Sequence, residues 1–227
     1  MNTNILLVNH LTSYQRKLIS KLRDAIEDGN TQMAQKYAGI AIGDAQKKQC
    51  FQLRADVHFL MYTLYMQSKN YSKAEAEIDL AIVYIKRVQQ SNGFNDISMF
   101  FYRDSLLSKA SIYVRIEQYK EAIPVYLEAL EVSLDMDDLI LSISIWETLG
   151  ICQKAIGNHN AAWGSLVAGW GLIETLDESI FHNGQFCKLY ALEMMKINPK
   201  YLEVRYIVRF NSLWGEGWDK RILLNGT

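Results

Sequence analysis

The sequence predicts an all-α chain, an α-solenoid of antiparallel helical hairpins with about ten helices, and three observations carry that prediction. Ala34, Ala74, Ala122 and Ala162 recur at steps of 40, 48 and 40 residues, each in a similar setting of small and large apolar residues. Such a period marks a repeat array, in which one hairpin buries its apolar face only against its neighbours. Between these anchors the apolar residues fall three and four apart, the spacing of a helix face. The polar breaks are two or three residues long, as at Asp28-Gly29-Asn30, Ser68-Lys69-Asn70, Glu117-Gln118, Gly157-Asn158 and Asn198-Pro199. Joints that short fold each helix back on the one before.

Helices are expected over 12–28, 31–48, 51–68, 71–90, 97–116, 119–135, 138–156, 159–175, 179–196 and 199–213. They pair into units 12–48, 51–90, 97–135 and 138–175, a degenerate capping unit 179–213 and a tail 214–227, within a single domain 1–227. The first unit keeps Ala34, Ala38 and Ala41, but its leading helix, Tyr14 to Glu27, carries the pattern weakly. The 48-residue step contains the polar run Gln89 to Asp96, expected to jut from one edge as a loop. The third unit carries Leu106, Ala110, Tyr113, Tyr119, Ala122, Tyr126 and Ala129, with Pro124 far enough inside its helix to bend it or delay its start. The fourth carries Trp146, Leu149, Gly150, Gly157, Ala162, Leu166 and Gly169. Where two helices cross, a side chain larger than alanine would hold the backbones apart, and large neighbours fill the holes alongside. Gly164, Gly169 and Gly171, at helical spacing, are read as serving the same close packing. In the last unit Pro199 suits a first helical turn, and Arg209 replaces the alanine as a water-facing cap would.

The run from Ala110 to Ala129, followed by Trp146-x-x-Leu149-Gly150 with Gly157 and Ala162, resembles the tetratricopeptide repeat family, most closely over 97–172 and more loosely over 12–210. The resemblance implies a right-handed superhelix. That family's usual period is about 34 residues. The steps of 40 make this chain similar to its long-helix variety, found in kinesin light chains, spindle-orientation adaptors and bacterial peptide-sensing regulators. The resemblance further implies a concave surface lined by the first helix of each hairpin. Carried over position by position, that surface is Phe59, Thr63 and Met66, then Asp104, Leu107, Ser111 and Arg115, then Ser144, Glu147, Ile151 and Lys154, then Cys187, Ala191 and Met194, a mixed lining of apolar residues beside a few charges. A subset of the family clamps a terminal carboxylate with Lys, Asn and Arg at these positions. Phe59, Leu107 and Glu147 stand there instead, so a peptide with apolar anchors is the expected occupant.

Composition bounds the function. The net charge is -1, so no global field draws nucleic acid or an anionic membrane, and no direct nucleic-acid or membrane partner is expected. The apolar run near the start, Ile5 to Val8, is too short for a signal-peptide core or a membrane span. Cys50, Cys152 and Cys187 have no paired spacing and read as reduced thiols of a cytoplasmic protein. His10, His58, His159 and His182 are scattered, and no phosphate-binding glycine loop or nucleophile motif occurs, so no metal, no cofactor and no enzyme activity are expected. His159 stands where Tyr71 and Tyr119 start their helices. Residues 97–138 are acidic in balance, and 139–176 carry only Glu147, Lys154 and Glu174. The tail presents Trp214 and Trp218 around a glycine turn, either as a cap on the last pair or as an interface anchor. The reading is a non-enzymatic adaptor or scaffold that binds protein or peptide. A peptide-sensing regulatory module and a bacterial secretion-type chaperone are the alternatives, and a homo-oligomer is open.

Overall fold

The computed structural model describes residues 11–92 and 95–175, which form eight α-helices and no strand. These are α1 (Ser13–Glu27), α2 (Thr31–Lys47), α3 (Phe51–Gln67), α4 (Tyr71–Asn92), α5 (Asp96–Arg115), α6 (Tyr119–Asp135), α7 (Leu139–Ala155) and α8 (His159–Thr175). The expected helices over 179–213 and the tail lie outside the described residues.

The period has a simple origin. Helices α2, α3, α6, α7 and α8 are each 17 residues long, separated by joints of three residues, so two helices and two joints make 40. In the longer step α4 has 22 residues and α5 has 20, and their five and three extra residues account for all of the difference between 48 and 40. The inserted sequence therefore lengthens two helices, and Gln89 to Asn92 and Asp96, expected in a loop, are helical. Gln89 is buried and donates to the carbonyl of Ser98, and Asn95 caps α5 in a reciprocal bond with Ser98. The apolar spacing continued by Val88 and the cap at Asn95 prevail over the polar composition between them.

One backbone motif makes the joints. The middle residue is left-handed at Gly29, Gln49, Lys69, Glu117, Asp137 and Gly157, with φ between 51° and 80°. The N–H after it reaches back five residues to the helix just ended, as Asn30 to Ala25 at 2.8 Å, Asn70 to Tyr65 at 2.8 Å and Gln118 to Tyr113 at 2.8 Å. That is the Schellman closure, which satisfies carbonyls a helix end leaves open. At four joints the same residue caps the next helix, with Asn30, Asn70, Asp138 and Asn158 accepting from the third N–H of α2, α4, α7 and α8. A three-residue joint thus ends one helix and starts another with little exposed backbone. Tyr119 starts α6 as Tyr71 starts α4 and His159 starts α8, so Pro124 does not delay its helix.

The chain divides into two compact units, Met1–Val132 and Ser133–Thr227. In the first, α1 packs on α2 and α3, α2 on α3, α3 on α4, and α4 on α5. Helix α1, weak as a repeat match, is well formed. Thr12 and Gln15 make a reciprocal capping box, and Gln15, Leu18, Ile19, Leu22, Ala25 and Ile26 form its buried stripe. Helix α3 is buried nearly all round, because neighbours cover most of its faces. Ala34, Ala74, Ala122 and Ala162 each have 0% exposure, as a helix-crossing role requires.

In the second unit α7 packs on α8, and the closest approach falls at Gly150. A Cβ there would lie 2.8 Å from Leu166 Cγ and 3.3 Å from the Ala162 carbonyl oxygen. Gly164 and Gly171 differ from their expected packing role, since a Cβ on either would meet nothing within 4 Å. Gly150→Ala forces Leu166 or the α8 backbone to move and should cost about 1–3 kcal/mol, read as a lower urea midpoint. The left-handed joints predict the opposite sign elsewhere. Glu117→Gly relieves a side chain from that region and should raise stability by about 0.5–1 kcal/mol, whereas Gly157→Ala should lower it by about 1 kcal/mol, both measurable by thermal melting.

Candidate functional site

The predicted groove positions fall on the first helices of the hairpins. In the first unit Phe59, Thr63 and Met66 lie on α3 and Leu107, Ser111 and Arg115 on α5, all half-buried except the exposed Arg115. An aromatic contact joins the two helices, with Phe59 and Phe101 centroids 5.1 Å apart and Tyr62 at 5.7 Å from Phe59. The Thr63 hydroxyl donates to Leu60 O at 2.7 Å and Ser111 to Ser108 O at 2.8 Å, so both turn back on their own helix. What this face offers outward is apolar edge, the Arg115 guanidinium and the Asp104 carboxylate, whose side chain is 38% exposed and paired with Arg103 at 3.1 Å.

In the second unit Glu147, Ile151 and Lys154 lie on α7 at spacings of four and three, on one side of the helix. Ile151 is 40% exposed, and Ile140, three turns earlier on the same side of α7, is 56% exposed. Cys187, Met194, Trp214 and Trp218 lie outside the described residues.

Two polar arrays in the first unit were not visible in the sequence. The first runs along α4 and α5, where Tyr113 donates to Glu75 at 2.7 Å, Lys109 pairs with Asp79 at 2.7 Å, and Lys86 lies 5.1 Å over the Tyr102 ring. Each step along α4 is matched by an equal step back along α5, so the array fixes an antiparallel register. Tyr102 also donates to Glu128 of α6, which lies 3.5 Å from Lys86. Burial first and the Glu75 carboxylate second raise the Tyr113 hydroxyl well above its ordinary pKa, and burial with Glu128 raises Tyr102.

The second array lies on α3 and α4. Phe51 and Tyr84 stack with centroids 6.4 Å apart, and His58 stacks on Tyr84 at 5.5 Å while its Nδ1 lies 2.7 Å from Glu77 Oε2. The guanidinium of Arg54 lies 5.8 Å from the Phe51 centroid and 5.2 Å from Tyr84, and that of Arg87 lies 5.6 Å from both. The signal that could have found it is the spacing of Phe51, Arg54 and His58, three and four apart, with Tyr84 and Arg87 three apart on the partner helix. Among the described residues no group of three or more His, Cys, Asp or Glu is placed to hold a metal ion, and no helix is long and apolar enough to cross a membrane.

No protein-family model matches the chain, and no curated protein matches it. Solved structures do. The chain is similar to BtubC (BKLC) from P. vanneervenii at 14% identity, covering 95% of this chain and 94% of that one with a TM-score of 0.53. The shared fold is a tetratricopeptide-like helical repeat. Weaker likenesses are the apo form of RapI, at 12% identity, 94% and 69% coverage and TM-score 0.46, and MamA AMB-1, at 14% identity, 94% and 98% coverage and TM-score 0.46.

The two described cysteines are free. Cys152 is fully buried, and burial pushes its thiol from an ordinary 9.0 up to about 11. Below the ordinary value folded and unfolded chains both hold this proton. Above it the unfolded chain releases the proton and the folded one keeps it, so stability falls as pH rises between 9.0 and about 11. Tyr102 and Tyr113, raised in the same direction, deepen the fall. The urea midpoint should drop on going from about pH 8 to about pH 10.5, and Cys152→Ala should make the drop shallower.

Proposed function

We propose that this chain is a non-enzymatic adaptor that binds a protein or peptide segment, through the first-helix faces of its hairpins and in the manner of long-helix tetratricopeptide proteins. The observation that carries the reading is the face of α3 and α5. There the polar side chains Thr63 and Ser111 are satisfied by their own helix, while Phe59, Met66 and Leu107 stay part exposed beside Arg115. A largely apolar, pre-ordered surface with few charges suits a peptide that brings apolar anchors, because rigid stacked helices leave the ordering cost to the ligand. Glu147, Ile151 and Lys154 supply a comparable face on α7. Free thiols at Cys50 and Cys152 agree with work in the cytoplasm.

Affinity capture with the tagged chain, followed by mass spectrometry, tests this reading. Leu107→Asp, Arg115→Glu and Ile151→Asp, made separately, should each reduce recovery of the bound protein by about tenfold, as loss of a hot-spot contact does. Leu80→Asp, on the outer side of α4, should leave it unchanged. Undiminished capture by the first three variants would sink the face assignment. The nature of the captured protein separates the alternatives: one abundant unstable client indicates a chaperone, and a signalling enzyme released by added peptide indicates a sensor.

A further inference from the structure

The aromatic and arginine array of α3 and α4 lies on side chains that the proposed adaptor face does not use. Its two guanidiniums are drawn to the same pair of rings, yet among the described residues neither Arg54 nor Arg87 has an acidic partner. The acid tied to this array, Glu77, is committed to His58. The Nε of Arg54 is shielded from solvent and has no hydrogen-bond acceptor. A guanidinium that lies over a ring spends its face on the ring and leaves its edge, where all its N–H bonds point, free for in-plane acceptors.

A cleft of about 270 Å³ adjoins Phe51, lined by Gln49, Cys50, Phe51, Gln52, Val88 and Ser91. It exists because α4, at 22 residues, is five longer than α3, so its last turns continue past the start of its partner and wall a space beside the α2–α3 joint. The amides of Gln49 and Gln52 in that wall suit a peptide backbone.

We propose that this end of the first unit docks an acidic segment of a partner protein, its carboxylates on the edges of Arg54 and Arg87 and its backbone in the cleft beside Phe51. Exposed Lys47 at the end of α2 adds positive charge at the same joint. Carboxylate bonds to guanidinium are charge-assisted and stronger than neutral ones. The group is too small for the extended phosphate contacts a nucleic acid needs, and the chain's net charge of -1 supplies no wider basic field.

The test is fluorescence anisotropy with a fluorescein-labelled peptide of alternating glutamate and glycine and its glutamine counterpart. The wild-type chain should bind the glutamate peptide at least about tenfold tighter than the glutamine one, and several-fold more weakly when salt rises from about 0.05 M to about 0.2 M. Arg54→Gln combined with Arg87→Gln should abolish the preference, while Leu107→Asp should keep it, so this site and the adaptor face succeed or fail separately. Equal affinity for both peptides, a preference retained in the double variant, or displacement of the glutamate peptide by a lower concentration of oligothymidylate would each overturn the proposal. Because Arg54 packs on Phe51, exposed Arg87→Gln alone serves if the double variant does not fold. It should lose several-fold in affinity for the glutamate peptide, and an undiminished affinity overturns the proposal equally.

Discussion

Everything regular in this protein depends on the three-residue joint with a left-handed residue at its centre. The Schellman closure turns the chain within a fixed number of residues, and at four joints the asparagine or aspartate that follows caps the next helix at once. With the joint fixed at three and the common helix at 17, the period can only be 40. The buried alanines follow from that period, since the same point of each hairpin returns to the same crossing. Four of six such residues are not glycine, so the backbone closure prevails over a side-chain cost of about 1 kcal/mol or more at each.

What the sequence made legible is what repeats. Four alanines at zero exposure, helix starts at Tyr71, Tyr119 and His159, and the small residue at Gly150 all follow from spacing. The polar run from Gln89 misled for a physical reason: Gln89 and Ser98 are polar residues that satisfy one another in a buried place, so composition there reports hydrogen bonding and not exposure. Gly164 and Gly171 misled in the other direction, because helical spacing shows which residues share a face but not whether another helix approaches it.

The side-chain arrays were illegible because they are made between helices. Tyr113 with Glu75 and Lys109 with Asp79 join residues 38 and 30 positions apart, and only the antiparallel register brings them together. In the same way Arg54 and Arg87 look like ordinary surface cations in the chain and become a pair only when Phe51 and Tyr84 stack. The carried-over groove positions had the reverse fate. Their helices could be assigned from the repeat, but the inward turn of Thr63 and Ser111, which leaves the face apolar, is a hydrogen-bonding fact that no pattern contains.

The cysteines acquire a use from where the fold puts them. Cys50 is half-buried at the joint between α2 and α3 in the first unit, whereas Cys152 is sealed inside α7 in the second. A thiol that is sealed reacts only when its surroundings open, so its labelling rate is a clock for local unfolding of its own unit. The chain therefore carries a native thiol in each unit, and Cys152, told apart from Cys187 by peptide mapping, times the opening of the second without a substitution that would disturb the packing it measures.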